Sequence, residues 1–313
     1  MILNVSLSPS IDRTLLVSDV KLGTIHRPTT VVEVAGGKGF NVARCLMRLG
    51  YQAQAIGILG GPNGQTIKEL ARFEGLNILE VPGSLNTRVC TSIMDMSTGA
   101  LTEFYELATP VTDSEWDQLC EKVRCHSRSA DWVTISGALP AGLPSVAILQ
   151  LIEAAREFGA EVAIDTHGAS LQAALGAGPS LMKVNRLEAA SLLSLQENVV
   201  ASDVCEQLAR AVGTTAVVTD GEAGAWAMRV DQKALHVNSA RRGRYPVGSG
   251  DCFLAGFVAA RSHDRSISES LRFAAATATA NAQVPGPGIF DLQDLETLLP
   301  ETVVTTLDGH LKP

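Results

Sequence analysis

Apolar runs of five residues recur along the middle of the chain, and helical periodicity follows most of them. The runs are rich in β-branched residues and too short for helices, so they predict buried strands. They lie at 132–136, 161–165, 181–185 and 215–219. Predicted helices follow the first three runs, near 145–158, at 169–176 and over 187–195. This alternation predicts an α/β fold with a parallel sheet covered by helices on both faces.

Two extended stretches stand outside this alternation, although the N-terminal MILNVS fits it as a first strand. They lie at about 12–34 and 87–108, and the second has a hairpin turn signal at Ser97-Thr98-Gly99. We predict that they form a small separate sheet, a lid that excludes water from a site. The alternative is that they are edge strands of the main sheet.

Composition narrows the class of protein. The chain has 313 residues, 46% of them hydrophobic, which is enough for one large α/β domain or two small ones. A net charge of −8 argues against nucleic acid or an anionic membrane as partner, and no apolar run is long enough to cross a bilayer. The six cysteines show neither CxxC pairs nor metal-ligand spacing. They predict free thiols in a reducing cytoplasm.

The stretch PVGSGDCFLAGF at 246–257 predicts the start of a buried helix. Gly248, Ser249 and Gly250 let the backbone turn its N–H groups inward, and the first turn of a helix leaves such groups without partners. The resulting cradle suits an anion. Asp251 fits there if the anion is transient and the carboxylate accepts a proton. We expect the helix dipole to favour its ionised form.

A second glycine cluster, VAGGKGFNVA at 34–43, opens another predicted helix. Gly36 and Gly37 permit close approach of a ligand, while Lys38 and Asn41 offer charge and hydrogen bonds. The spacing differs from that of a Walker A loop. Taken alone, the cluster is more simply explained as a glycine-rich entry to a helix.

Polar residues end several of the predicted strands. Because ligands of parallel sheets bind beyond the carboxyl ends of the strands, we expect these residues to line one edge. They are Ser136, Asp165, Asn185 and Thr219. Simpler explanations exist for the last two. Asn185 and Glu188 are spaced as a helix capping box, and residues 219–224 fit an ordinary turn between strands.

The order of these motifs in one chain resembles the phosphofructokinase B family of ribokinase-like sugar kinases. The resemblance runs nearly end to end, and GGKGFNVAR at 36–44 with ANA at 280–282 resembles the branch of 1-phosphofructokinases and tagatose-6-phosphate kinases. It implies a single domain over 1–313. The implied fold is a three-layer α/β/α sandwich with a mainly parallel central sheet and a small β-sheet lid.

The resemblance also implies a role for individual residues. Positions that hold sugar hydroxyls are Asp12, Gly36, Gly37 and Asn41. Positions near a sugar phosphate are Lys38, Arg88 and Ser136. Positions that contact nucleotide phosphates and, through water, magnesium are Lys183, Asn185 and Glu188. The nucleotide-phosphate turn holds Thr219, Gly221 and Gly224, and Asn281 lies in the helix that borders adenine. The anion hole is Gly248, Ser249 and Gly250, with Asp251 as catalytic base.

The implied activity is an ATP- and Mg²⁺-dependent phosphorylation of a ketohexose phosphate, with fructose 1-phosphate the first choice. Tagatose 6-phosphate, fructose 6-phosphate and an unphosphorylated sugar or nucleoside are the alternatives, as is a non-catalytic sensor. A nicotinamide dehydrogenase is disfavoured because no GxGxxG follows the first strand. The resemblance further implies a homodimer through the lid sheet. Val184, Asp220 and Cys252 depart from the family pattern at non-catalytic positions.

Overall fold

The computed structural model describes residues 1–238 and 241–306, so residues 239–240 and 307–313 of the predicted domain lie outside it. Fourteen strands occur in this part of the chain: β1 (Ile2–Ser6), β2 (Ser10–Val17), β3 (Thr30–Gly36), β4 (Ala53–Gly60), β5 (Ile78–Gly83), β6 (Arg88–Asp95), β7 (Leu101–Tyr105), β8 (Trp132–Ser136), β9 (Glu161–Asp165), β10 (Leu181–Asn185), β11 (Thr215–Thr219), β12 (Ala225–Arg229), β13 (Leu235–Asn238) and β14 (Val303–Thr306).

Ten α-helices occur in the same residues: α1 (Lys38–Arg48), α2 (Gly61–Glu74), α3 (Asp113–Ser127), α4 (Ala147–Arg156), α5 (Gly168–Gly176), α6 (Arg186–Leu192), α7 (Ala201–Val212), α8 (Ser249–Arg261), α9 (Ile267–Asn281) and α10 (Leu292–Glu301). All four strands predicted from apolar runs are found with the expected bounds. The helix predicted over 187–195 ends early, at Leu192, and Ser194 beyond it is left-handed with φ 54°.

The large sheet has ten strands in the order β14-β13-β12-β11-β10-β9-β8-β1-β4-β5. The seven strands from β5 to β11 along this order are parallel to one another. Strands β12, β13 and β14 each pair antiparallel with the strand before them in the chain. Helices α3, α4, α5 and α7 cover one face, while α1, α8, α9 and α10 cover the other. Strands β1 and β8 are buried at every residue because both faces are covered. The predicted three-layer α/β fold is confirmed.

The strand order reverses direction at β1. From β1 the chain moves to β4 and β5 on one side, and returns to β8, β9 and β10 on the other. Connections that diverge in this way leave a crevice at the carboxyl ends of the two central strands. Ser6 of β1 and Ser136 of β8 lie side by side at this point. The fold therefore provides a cleft where the sequence predicts polar strand ends.

A separate four-stranded sheet, here called the lid sheet, has the order β3-β2-β6-β7. The prediction of a small second sheet is confirmed, and the edge-strand alternative is wrong. The stretch expected to be extended over 12–34 is interrupted, because residues 18–29 form an irregular loop between β2 and β3. The Asp95 carboxylate holds this loop by accepting from the N–H groups of Asp19 and Val20, each at 3.1 Å.

None of the helices within residues 1–238 and 241–306 combines the length and the apolar character needed to span a membrane.

Candidate active site

Asp12, on β2 of the lid sheet, is tied to the start of α1. Its carboxylate accepts from the Gly37 N–H and from Asn41 Nδ2, each at 3.1 Å, and from Ser10 Oγ at 2.5 Å. Together with Gly36 and Lys38, these residues form what we call the α1 cluster: Asp12, Gly36, Gly37, Lys38 and Asn41. The glycine cluster is therefore more than an entry to a helix, because it meets a carboxylate from the lid.

Gly36 is required by the position of that carboxylate. A Cβ at this residue would lie 2.1 Å from Asp12 Cγ, closer than any real contact. Any side chain here would displace Asp12 from its bonds to Gly37 and Asn41. The glycine thus serves close approach within the protein itself.

The second group of interest, here called the α8 cluster, consists of Gly248, Ser249, Gly250 and Asp251 at the start of α8. Gly248 is the N-cap at φ 78°, and a Cβ there would lie 2.4 Å from Pro287 Cβ. The N–H of Ser249, one of the expected anion-hole donors, instead donates to the Pro246 carbonyl at 3.0 Å. Among the described residues, the N–H groups of Gly250 and Asp251 have no partner. These two N–H groups at the start of α8 are therefore available to a ligand.

Asn281 holds the α8 cluster in place. The residue is completely buried. Its Nδ2 donates to the Val247 carbonyl at 2.9 Å and to Ser249 Oγ at 3.2 Å, and its Oδ1 accepts from the Gly288 N–H at 2.8 Å. Asn281 therefore acts as a clamp between two loops, and its expected place in the helix that borders adenine stays a prediction.

The two clusters meet at Asn41. Its Nδ2 donates to Asp251 Oδ2 at 3.0 Å as well as to Asp12 Oδ2, across 210 residues of chain. Both Asn41 and Asp251 are buried, at 4% and 7% exposure. One amide therefore joins the carboxylate of the α8 cluster to the carboxylate of the lid sheet.

A second bridge joins the clusters through Asp165, at the end of β9. Lys38 Nζ donates to Asp165 Oδ1 at 2.7 Å, and Lys183 Nζ donates to Oδ2 at 2.6 Å. Lys183 lies directly against the α8 cluster, since a Cβ on Gly250 would lie 3.2 Å from its Nζ. The site thus contains two ammonium groups and two buried carboxylates close together, held in two neighbouring sets of hydrogen bonds.

The pKa values in this network are set by burial and by neighbouring charges. Burial raises the pKa of Asp251 to about 6, and Asp165 adds to this, against the opposing effect of Lys38, Lys183 and the Asn41 N–H. The expectation that the helix N-terminus would favour the ionised form was therefore wrong, because desolvation outweighs it. Although burial opposes it, the attraction of Lys183 and Lys38 lowers the pKa of Asp165 to about 2. The same carboxylates raise the pKa of Lys38 despite its desolvation.

Buried polar atoms without partners surround the end of β1. They are Ser6 Oγ, Ser8 Oγ, Ser136 Oγ and Arg88 Nε. Arg88 reaches this region from the lid sheet: its Nη1 donates to the Glu106 carbonyl at 2.8 Å and its Nη2 to the Ser8 carbonyl at 3.3 Å. Unsatisfied donors of this kind are costly unless a ligand supplies acceptors.

The ends of β10 and β11 lie farther along the same edge. Asn185 and Glu188 form the capping box of α6, with each side chain accepting from the other's N–H at 2.8 and 2.9 Å. Thr219 precedes a single 3-10 turn, Gly221–Ala223, which leads into antiparallel β12. Arg186 Nε contacts Asp220 Oδ1 at 2.9 Å and so ties the two strand ends together.

The structure adds residues to which the sequence assigned no role. Asp165 was identified only as a strand end, and Ser6, Ser8 and Arg44 were not singled out. Asp165 carried a usable signal, since it is a charged residue ending an apolar strand next to the strand that carries Lys183. Arg44 ends the quoted GGKGFNVAR motif, but its type and position gave no reason to expect burial, because an arginine in an amphipathic helix is ordinarily solvated.

Comparisons with known proteins agree with this architecture. The sequence model described as pfkB family carbohydrate kinase matches residues 1–294. Phosphofructokinase-2 from Escherichia coli, solved in complex with substrates and products, is 26% identical over 96% of this chain and 98% of its own, with a TM-score of 0.88. Its complex with fructose-6-phosphate gives 25% identity over the same shares and a TM-score of 0.85. A possible 1-phosphofructokinase from Thermotoga maritima shares the fold, with a TM-score of 0.88 at 22% identity over 98% of this chain and 100% of its own.

Proposed function

The chain belongs to the pfkB family of carbohydrate kinases and is a sugar phosphotransferase; from this premise we propose that it transfers the terminal phosphoryl group of ATP to a ketohexose phosphate. The observation that carries the proposal is the Asn41 bridge, which holds the Asp251 carboxylate against the α1 cluster. A base in that position faces an acceptor bound by Asp12 and Asn41.

In the proposed reaction Asp251 accepts the proton of the acceptor hydroxyl. The acceptor oxygen bonds to the γ-phosphorus while the bond from phosphorus to the β–γ bridging oxygen breaks. The N–H groups of Gly250 and Asp251, with the neighbouring Gly248, meet the charge on the transferring group. Loss of one such donor typically costs about 3 kcal/mol in the barrier. With a pKa of about 6, Asp251 is mostly ionised at pH 7 and is therefore available as a base.

The nucleotide side of the site suits phosphates carrying magnesium. Lys183 supplies a cation beside the α8 cluster, with Thr219, Gly221 and Gly224 at the adjoining turn. Glu188 uses Oε2 in its capping box, which leaves Oε1 for a metal-bound water. No group of three histidine, cysteine or acidic ligands occurs within the described residues, so Mg²⁺ would rely on nucleotide phosphates and water. Bound there, it would neutralise charge on the phosphates.

The donors around β1 favour an acceptor that already carries a phosphate. Ser8, Ser136 and Arg88 each present a buried polar atom with no partner, and Lys38 lies at the same edge. A phosphate has enough acceptor oxygens to satisfy all of them, and an arginine fork suits its geometry. Fructose 1-phosphate is our first choice, with fructose 6-phosphate and tagatose 6-phosphate next.

A coupled ADP-release assay tests the proposal. The acceptors are the three phosphohexoses and their parents, fructose and tagatose, each with Mg²⁺-ATP. We expect a phosphohexose to give a kcat/KM at least 100-fold above that of its parent, because charged hydrogen bonds to phosphate contribute about 3 kcal/mol together. Equal use of fructose or tagatose would show that the acceptor is an unphosphorylated sugar.

Replacing Arg88 tests the phosphate subsite. We expect Arg88→Ala to raise the KM for the phosphohexose by about 10- to 100-fold with kcat nearly unchanged, since a contact made equally before and during transfer is lost. Arg13→Ala is the matched control, because Arg13 lies on the opposite face of the lid sheet and pairs with Glu33. An unchanged KM in Arg88→Ala would remove Arg88 from the site.

We further propose a homodimer through the lid sheet. Apolar side chains are exposed on it and its loops, among them Leu22 at 101%, Ile25 at 83%, Leu107 at 89% and Phe104 at 63% exposure. Burying such a patch against its copy would remove this surface from water and cover the sheet edges. The six free cysteines fit a reducing cytoplasm as its location.

Sedimentation velocity tests the dimer. We expect wild type to sediment as a dimer and Phe104→Glu as a monomer, because a charge would be buried without a partner. Val200→Glu is the control, since Val200 is 62% exposed at the start of α7, which packs against β11 and β12 of the large sheet. A monomeric wild type, or dissociation by the control variant, would count against this interface.

A further inference from the structure

Arg44 is a buried cation that the proposed reaction does not use. It lies on α1 with only 3% exposure. Its Nε donates to Glu74 Oε2 at 2.7 Å, its Nη1 to Asn41 Oδ1 at 2.8 Å and to the Pro287 carbonyl at 3.3 Å, and its Nη2 to the Ala35 carbonyl. One side chain therefore contacts four segments around the site. Burying it requires a reason, because an arginine loses its hydration there.

The contact with Asn41 decides which way that amide points. A guanidinium has donors only, so the atom of Asn41 that faces Arg44 must be the oxygen. The nitrogen then faces the other way, towards Asp12 and Asp251, and donates to both. Without Arg44, the orientation of the amide would depend on the two carboxylates alone. The reversed one would place an oxygen against two carboxylates.

We propose that Arg44 is a positioning residue: by donating to Asn41 Oδ1 it fixes the amide so that Nδ2 serves Asp12 and Asp251 together. The Glu74 carboxylate balances its charge. This inference rests on the proposed function, in which Asp251 is the base. Arg44 itself touches neither the acceptor nor the reacting oxygen.

The consequence for Asp251 has a definite sign. Its charged and titratable neighbours are Lys38 and Cys45 on α1, Asp165 on β9, Lys183 on β10 and, through Asn41, Asp12 on β2. Of the contacts that favour its ionised form, only the one from Asn41 depends on Arg44. Losing that donor raises the pKa of Asp251 above about 6. A base with a raised pKa is protonated over a wider range, so the acid limb of activity moves to higher pH.

Kinetics of Arg44→Met test the inference. We expect kcat to fall about 10- to 100-fold, because a small misplacement of a reacting group can cost that much, with the acid limb of kcat/KM shifted to higher pH. Arg48→Met is the control, because Arg48 lies one turn along α1 and donates to the Phe290 carbonyl without touching Asn41. Where Arg44→Met does not fold, Arg44→Lys takes its place, keeping a cation beside Glu74 without the fork.

A double-mutant cycle with Asn41→Ala separates positioning from general damage. If Arg44 acts through Asn41, Arg44→Met changes kcat and the acid limb little further in the Asn41→Ala background. If the effects of Arg44→Met and Asn41→Ala on kcat multiply, the inference is overturned. It is also overturned if Arg44→Met lowers the urea midpoint but leaves the pH profile unchanged.

A titration that does not need turnover keeps this result apart from the proposed function. In protein with ¹³C-labelled aspartate, the Asp251 carboxyl signal is assigned by its loss in Asp251→Asn. We expect its midpoint to rise in Arg44→Met and to stay at the wild-type value in Arg48→Met. An unmoved midpoint overturns the role of Arg44. Absence of kinase activity in wild type would instead overturn the proposed function.

Discussion

Asp251→Asn is expected to lower kcat by about 10²- to 10⁴-fold, the range supplied by a general base. Asparagine preserves the shape of the side chain and its acceptor for Asn41 Nδ2, so the site should keep its geometry. What it loses is the ability to take the acceptor's proton. The KM for ATP should remain near normal, because the carboxylate bonds to Asn41 rather than to Lys183, the cation on the proposed nucleotide side.

The pH dependence of the wild type follows from the same carboxylate. In the free enzyme the pKa of Asp251 is about 6, so kcat/KM should fall as the pH drops below that value. Asp264→Asn, a change just past the other end of α8, should leave both kcat and this profile intact. Retention of more than a tenth of wild-type kcat in Asp251→Asn would remove Asp251 from the role of base.

Asp251→Asn should lose activity without losing stability. The folded-state pKa of Asp251 is raised from 3.8 to about 6, so the fold binds this proton more tightly than the unfolded chain does. The stabilisation from protonation is present at low pH and is lost as the pH rises through that window. At pH 7 the wild type therefore carries a buried, unfavourable charge, and Asp251→Asn should be at least as stable in urea. Functional groups commonly lower the stability of the folded state in this way.

Local patterns predicted the elements of this fold because its central strands are buried on both faces. Runs such as WVTIS and LMKVN are apolar enough to indicate a buried strand by themselves, and the glycines before Asp251 indicate the start of α8. The same holds for the capping box at Asn185, whose two bonds lie within four residues. Interactions between residues close in sequence can be predicted because both partners lie in the same short segment.

What could not be predicted depends on contacts between distant segments. The pKa of Asp251 rises because α1 and the strands around it exclude water, which nothing in GSGD encodes. Asn281 is a clamp because two loops, at 246–249 and 286–288, fold onto it. The loop over 18–29 interrupts the lid through bonds to Asp95, more than seventy residues away. Each outcome required the tertiary structure.

Asp165 is the other position where a single change should have a large effect. Its carboxylate is 1% exposed and is the shared partner of Lys38 and Lys183. Asparagine in its place offers one oxygen instead of two and turns an N–H₂ group toward an ammonium. Two lysines would then lie close together without a countercharge. Removing one partner of a buried ion pair typically costs 3–5 kcal/mol, roughly what we expect in the free energy of unfolding of Asp165→Asn at pH 7.

The control for stability is Asp131→Asn, which removes an aspartate that pairs with the N-terminus at the surface, where the carboxylate is 68% exposed. A pair in that setting is worth about 0–1 kcal/mol. Because the pKa of Asp165 is lowered from 3.8 to about 2, its stabilisation is present above the first value and is lost as the pH falls toward the second. The gap between wild type and Asp165→Asn in urea should accordingly narrow below about pH 4.

Activity of Asp165→Asn supplies a test that a purely structural role would fail. The Asp165 charge raises the pKa of Asp251, so its removal should lower that pKa and move the acid limb of kcat/KM to lower pH. Arg44→Met is expected to move the same limb the other way, although both variants lose activity. Because general damage to the site has no reason to shift the limb in opposite directions, opposite shifts would identify Asp251 as the titrating group. A shift to higher pH in Asp165→Asn would contradict this assignment and show that the limb belongs to another residue.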